Sequence, residues 1–187
     1  MTATAEIISA LNQANGSASS KSFLAAVAEG EGGKTWNILF GGSMWTGSME
    51  AFPPWAGVKL KRGGWTHAAG AFQFEPGSYA DIAKISGRTA FEPQDQIQNA
   101  WDLASQVFGG TIANSLHAAL VAGGNDLFLV STYLIKIWPG GCDINFPKRF
   151  MANLPLVIVP QGTPTTAKVA ALVPRQSSPG EFLHGHC

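Results

Sequence analysis

FLAAVAEGEGGKTWNILFGG, residues 23–42, decides the fold. It opens as a short apolar helix that Ser22 can cap. Leu24, Val27 and Glu31 fall at i, i+3 and i+7, so Glu31 shares a face with apolar side chains. Glu29 stands two residues earlier, on roughly the opposite face. Gly30, Gly32 and Gly33 break the helix. One carboxyl is therefore carried at a helix end, on the side facing the core, beside a flexible exit. An apolar wall disfavours the charged form and raises a carboxyl pKa. A carboxylic acid still protonated near neutral pH serves as a general acid. The plainer alternative is a surface glutamate at a frayed helix end, and Glu29 is the rival for the acid.

Around this stretch the composition is that of one domain with a substantial core. The chain has 187 residues, 45% hydrophobic and 13% charged, and a formal net charge of zero. No basic surplus points to nucleic acid. A local run, Lys59, Lys61 and Arg62, is either an exposed strand or the lining of a groove for an anionic polymer. The first residues, MTATAEIISALNQANG, show no basic n-region and no long apolar h-region, so no secretory signal is expected. No apolar run reaches the ~20 residues that span a bilayer. Cys142 and Cys187 can pair but make no disulfide framework. No metal-ligand spacing appears, and His184, His186 and Cys187 read as a frayed tail. No cofactor is expected.

In chain order, Ile7, Ile8 and Leu11 mark a short amphipathic helix, and residues 15–20 read as a Gly/Ser-rich linker. After residues 23–42 the pieces WNILF, VKLK and GAFQF, separated by glycine pairs and Pro53–Pro54, predict a small irregular antiparallel sheet. Trp36, Trp45, Trp55 and Trp65 crowd there, either as platforms for sugar rings or as a satellite core. Helices are predicted over 78–86 and 94–108, around Ile112 to Leu120, and after Asp126 as cap. The last of these, LFLVSTYLIKIW, is apolar nearly all round and is expected at the centre of the core. Beyond Phe150, LVIV and AALV read as strands or an extended arm, and the end of the chain as mobile. The order gives an α+β domain with a cleft between the glycine-rich sheet and the helices.

FLAAVAEGEGG…NILFGG followed by HAAGAFQFEPGSY resembles the phage lambda-type lysozymes of the lysozyme-like superfamily. The matching positions are Glu31-Gly32, Gly41-Gly42, the run Ala68-Ala69-Gly70-Ala71-Phe72-Gln73, FEPQDQ, and Ile137-Trp138-Pro139-Gly140. Gly70 to Gln73 is also similar to the Gly-x-x-Gln motif of lytic transglycosylases. The chain departs from the family pattern at Ala71, where Arg is usual, at Phe52, where His is usual before the loop proline, and in the distance of Gln94-Asp95 from Pro93.

The resemblance implies a lysozyme-like fold, mostly helical, with a substrate cleft. It divides the chain into an N-terminal helix and linker (1–21), a catalytic domain (22–150) and a C-terminal extension (151–187). It implies Glu31 as catalytic acid. Substrate contacts would come from Gln73, Phe72, Gly41, Gly42, Tyr79 and Trp138. The implied reaction is cleavage of the MurNAc–GlcNAc β-1,4 bond of peptidoglycan with a single Glu, as a lytic transglycosylase forming 1,6-anhydro-MurNAc. The lone carboxyl fits, since the next carboxylate after Glu31 is Glu50 and no Asp appears before Asp81. The alternatives are a hydrolytic lysozyme using the same acid, a non-catalytic peptidoglycan-binding module of a phage tail or secretion machine, and a glycosidase for another amino-sugar polymer such as chitin. The expected protein is a monomer, made in the bacterial cytoplasm, acting on the wall after release, with glycan strands as partner and no stable membrane insertion.

Overall fold

The computed structural model describes residues 2–109 and 116–157. Its helices are α1 (Ala5–Gln13), α2 (Ala18–Gly30), α3 (Pro76–Ser86), α4 (Pro93–Gly109), α5 (Leu116–Ala122), α6 (Asn125–Leu134) and α7 (Phe146–Asn153), with a 3-10 turn at Leu154–Leu156. Between α2 and α3 lies an antiparallel pair, β1 (Val58–Lys59) and β2 (Trp65–Thr66), with Val58 opposite Thr66 and Lys59 opposite Trp65. Single bridges join Ile38 to Met44, Leu39 to Ala69 and Ala69 to Phe74. This is the expected α+β class, mostly helical with a small irregular sheet.

Helix α2 is the axis. Every residue from Ser20 to Ala28 is buried, because α7 packs along it most extensively and α1, α4 and α5 close the remaining sides. Ala25, Ala26 and Ala28 leave room for those neighbours. The helix begins earlier than its sequence predicts. Ser17 is the cap, and its hydroxyl accepts from the Ser20 N–H at 3.1 Å. Ser22 is inside the helix, buried, and donates to the Phe150 carbonyl. The expected linker over 15–20 is thus corrected: residues 18–20 are the first turn of α2, which runs unbroken past residue 21.

The core is aromatic. Phe23 of α2 meets Trp101, Trp138 and Phe146 edge-on at centroid distances of 5.9, 6.4 and 5.8 Å. Phe74 joins Trp138 to a second group of Tyr79, Phe52 and Phe91. Gln96, fully buried on α4, knots three segments together. Its Oε1 accepts from the Ala71 N–H at 3.0 Å, and its Nε2 donates to the carbonyls of Trp36 and Phe91 at 2.8 and 2.7 Å.

Two helical expectations change. Helix α6 is not central, since it buries Leu127, Val130, Ser131 and Leu134 but leaves Phe128 52% exposed. Its cap is Gly124 and Asp126 sits in the first turn. A uniformly apolar sequence gave no face to orient it. Helix α7, with Phe146, Phe150 and Asn153 buried at i, i+4 and i+7, was not anticipated. Cys142 is buried and pairs with no cysteine among the described residues. Cys187, AALV, the second half of LVIV (Ile158 and Val159) and the His184/His186 tail lie outside the described residues, while Leu156 ends the 3-10 turn. Among the described residues no helix is long and apolar enough to cross a membrane, and no His, Cys, Asp and Glu group is placed to hold a metal.

Candidate active site

Glu31 caps the C-terminus of α2. Its Oε1 accepts from two consecutive backbone N–H groups, Gly140 at 2.9 Å and Gly141 at 2.8 Å. Oε2 has no protein donor among the described residues and is not buried, and Glu31 lines the cleft in front of it. Burial pushes the Glu31 pKa above the usual glutamate value. The two amides and the Arg149 charge oppose that rise without cancelling it, and Asp143 adds to it.

The turn that anchors Glu31 is itself held from behind. The Arg149 guanidinium on α7 donates to the carbonyls of Gly140 at 2.8 Å and Gly141 at 3.0 Å, to Asp143 Oδ1 at 2.7 Å and to the Ala26 carbonyl at 3.2 Å. Glycine is required where the turn meets α2. A Cβ on Gly30 would sit 2.1 Å from the Gly140 oxygen, and one on Gly141 would sit 2.9 Å from Val27.

In front of Glu31 lies a cleft of about 260 Å³, walled by Ile38, Leu39, Phe40, Gly41, Gly42 and Gln73, with Gly32 and Lys34 at one side. Gly41 and Gly42 have φ of 89° and 93°, a backbone state that leaves the wall without side chains. Gln73 holds φ 48°, rare for a residue with a Cβ. Its Nε2 donates to the Gly70 carbonyl at 2.9 Å. Such strain is kept where the surroundings over-determine it. Glu31 is the only carboxyl among the residues lining this cleft.

By sequence, no family model and no curated protein matches the chain. By structure it is similar to the lysozyme from bacteriophage lambda, with a TM-score of 0.57 at 20% identity over 76% of this chain and 93% of that one. It is equally similar to bacteriophage lambda lysozyme complexed with a chitohexasaccharide, at a TM-score of 0.58 and 20% identity, over 75% of this chain and 94% of that one. The fold is that of a lambda-type lysozyme.

Within this lambda-type fold the expected residues separate into two groups. Glu31, Gly41, Gly42 and Gln73 come together at the cleft. Phe72, Tyr79 and Trp138 do not line this cleft, and their exposures are 0%, 2% and 1%. Trp138 lines, with Gln73, a neighbouring hollow of about 260 Å³. Phe72 packs on Trp36 at 6.0 Å, and the Trp138 Nε1 donates to the Phe72 carbonyl at 2.9 Å. The Tyr79 hydroxyl donates to the Ala90 carbonyl. Aromatic rings near a motif pack before they bind, since burying them stabilises the fold most. The rival Glu29 does not line this cleft, and it accepts from Asn153 Nδ2 at 3.0 Å. Glu50 and Asp81 are exposed elsewhere and line no part of the cleft.

Of the four tryptophans, Trp36 is core, while Trp45 and Trp55 are tied by their Nε1 to the carbonyls of Ser48 and His67 at 3.0 and 2.8 Å. Trp65, 61% exposed, is free on the hairpin. Sequence reasoning missed Gly141, Asp143, Arg149 and Lys34. Gly140 entered as the end of the family-like segment Ile137-Trp138-Pro139-Gly140, and Arg149 lies 118 positions beyond the residue whose turn it supports.

Proposed function

We propose that the protein cleaves the MurNAc–GlcNAc β-1,4 bond of peptidoglycan as a lytic transglycosylase, with Glu31 as its acid. The observation that supports this most is the state of one carboxyl. Glu31 lines a cleft with no second carboxyl, and it has one oxygen pinned by the amides of Gly140 and Gly141, the other unburied and without a protein donor among the described residues, and a raised pKa. An ordinary glycosidase needs a pair of carboxylates about 5–9.5 Å apart. A fold like that of bacteriophage lambda lysozyme, which has been seen with a chitohexasaccharide, agrees with an amino-sugar polymer as substrate.

In this reading Oε2 gives its proton to the glycosidic oxygen as the C1–O bond of the muramoyl residue breaks. The C6 hydroxyl oxygen of the same residue then bonds to C1 and its proton passes to Glu31. The acid is restored, a 1,6-anhydro ring forms and no water is consumed. The nucleophile is already tethered, so the entropy of bringing it in is small. The open backbone at Gly41 and Gly42 lets the glycan approach, and Gln73 offers its amide to an acetamido group. The protein acts on the wall as a monomer after release from the cytoplasm.

Purified protein should release dyed fragments from peptidoglycan, with product masses lacking one water relative to hydrolysis, and Glu31→Gln should stop release. Masses carrying the water would assign a hydrolytic lysozyme with the same acid. Binding without any release, indifferent to Glu31→Gln, would reject catalysis and leave a wall-binding module.

A further inference from the structure

The hairpin β1–β2 carries a second hollow of about 450 Å³, lined by Phe40, Val58, Lys59, Leu60, Lys61 and Arg62. Phe40 also walls the Glu31 cleft, so the two depressions share a side. The hairpin is closed at its tip, where the Leu60 N–H donates to the Gly64 carbonyl at 3.0 Å. It is fixed at its root, where the Thr66 hydroxyl and the His67 N–H donate to Glu75. Its three cations have no such anchor. Lys59, Lys61 and Arg62 are exposed, and none makes an ion pair or side-chain hydrogen bond among the described residues. No Asp or Glu occurs between Glu50 and Glu75. The chain as a whole is neutral, so this is a local field, and local fields act within about a Debye length, ~8 Å at physiological salt.

Apolar walls flanked by unpaired cations suit a short ligand bearing small methyl groups and several carboxylates. Resting on the peptidoglycan reading of the Glu31 cleft, we propose that this hollow is a subsite for the stem peptide of the strand being cut. The stem hangs from the lactyl group of the muramoyl residue, so it leaves the glycan beside the scissile bond. It carries alanine methyls and free carboxylates. Phe40, Val58 and Leu60 receive the first, and Lys59, Lys61 and Arg62 the second.

The test uses the full chain carrying Glu31→Gln, so that the glycan stays intact. Binding is measured by fluorescence titration on soluble, uncross-linked glycan strands that bear stems and carry no teichoic acid, and on the same strands after an amidase has removed the stems. Binding to the peptide-bearing strands should be about tenfold tighter than to stripped glycan, as three exposed ion pairs allow, and should weaken with salt. Adding Lys59→Ala, Lys61→Ala and Arg62→Ala should erase that difference, with binding to stripped glycan and the melting temperature unchanged. Equal loss on both glycans, or no loss on either, would overturn the subsite. Turnover of the wild type on both glycans is read separately. Absence of cleavage with stem-dependent, cation-dependent binding rejects the enzyme and supports the subsite.

Discussion

Glu31 and Arg149 hold opposite faces of one turn. The carboxyl accepts from the N–H groups of Gly140 and Gly141, and the guanidinium donates to the carbonyls of the same two residues. The charges sit on opposite faces of the turn rather than paired, so the Glu31 carboxyl is oriented without a salt bridge that would hold it ionised. Asp143 draws off part of the Arg149 charge at 2.7 Å, and its own pKa falls below the usual aspartate value although its slight burial works the other way.

Substitutions behind the turn should therefore move the pH profile in opposite senses. A general acid works only while protonated, so the alkaline limb of kcat/KM reports the Glu31 pKa and lies above the ordinary glutamate value. Asp143→Asn removes a charge that raises that pKa and frees Arg149 to lower it. The limb should move to lower pH. Arg149→Met removes a charge that lowers it, and the limb should move to higher pH. Pre-steady-state or steady-state profiles on soluble muropeptides check both signs.

Glu31→Gln should lower kcat by about 10²–10⁴, the usual share of a general acid. It should also stabilise the fold. A raised folded pKa means that the folded state holds its proton where the unfolded state has lost it, so wild-type stability declines as pH rises from the ordinary glutamate pKa through the folded value. Glutamine keeps an acceptor for the two amides and has no such decline. Thermal melts should show the variant above wild type at neutral pH, with the gap closing below about pH 4.

Gly30→Ala should be worse than Gly32→Ala. The first puts a Cβ 2.1 Å from the Gly140 oxygen and 2.5 Å from the Gly141 Cα, both backbone, so the turn must shift. A loss of about 1–3 kcal/mol is expected, with a fall in kcat because the anchor of Glu31 moves. The second meets open space, and its φ of 73° alone opposes it, at about 1–2 kcal/mol. Denaturant melts and single-turnover rates separate the two.

Gln96→Leu should cost about 3–5 kcal/mol in denaturant titrations, since it strands the Ala71 N–H and the Trp36 and Phe91 carbonyls inside the core. The loss should reach function too, because Ala71 leads directly into Phe72 and the strained Gln73 of the cleft wall.

What could be read from residues 23–42 was local. Helical spacing set Glu31 at the end of an apolar helix, and the glycines set an open wall beside it. What could not be read came from across the chain. Arg149, Gln96 and Asn153 act through contacts more than 25 positions away or through backbone atoms that no side-chain pattern marks. Ser22 and Tyr79 failed as readings for one reason. A residue type suited to a cap or a sugar wall is equally suited to burial with its hydroxyl satisfied, as both are here. LFLVSTYLIKIW shows the limit of periodicity, since a segment apolar on every side does not say which side is covered.

The sealed thiol one residue past the anchoring turn has a practical use. Burial first, then the charges of Glu31 and Asp143, push the Cys142 pKa up, and its N–H donates to the Trp138 carbonyl at 2.7 Å. Only a thiolate within reach attacks a disulfide reagent. In a Cys187→Ser background, the labelling rate of Cys142 thus becomes a clock for how often the floor beneath the acid springs open, and a strand clamped above that floor should slow it.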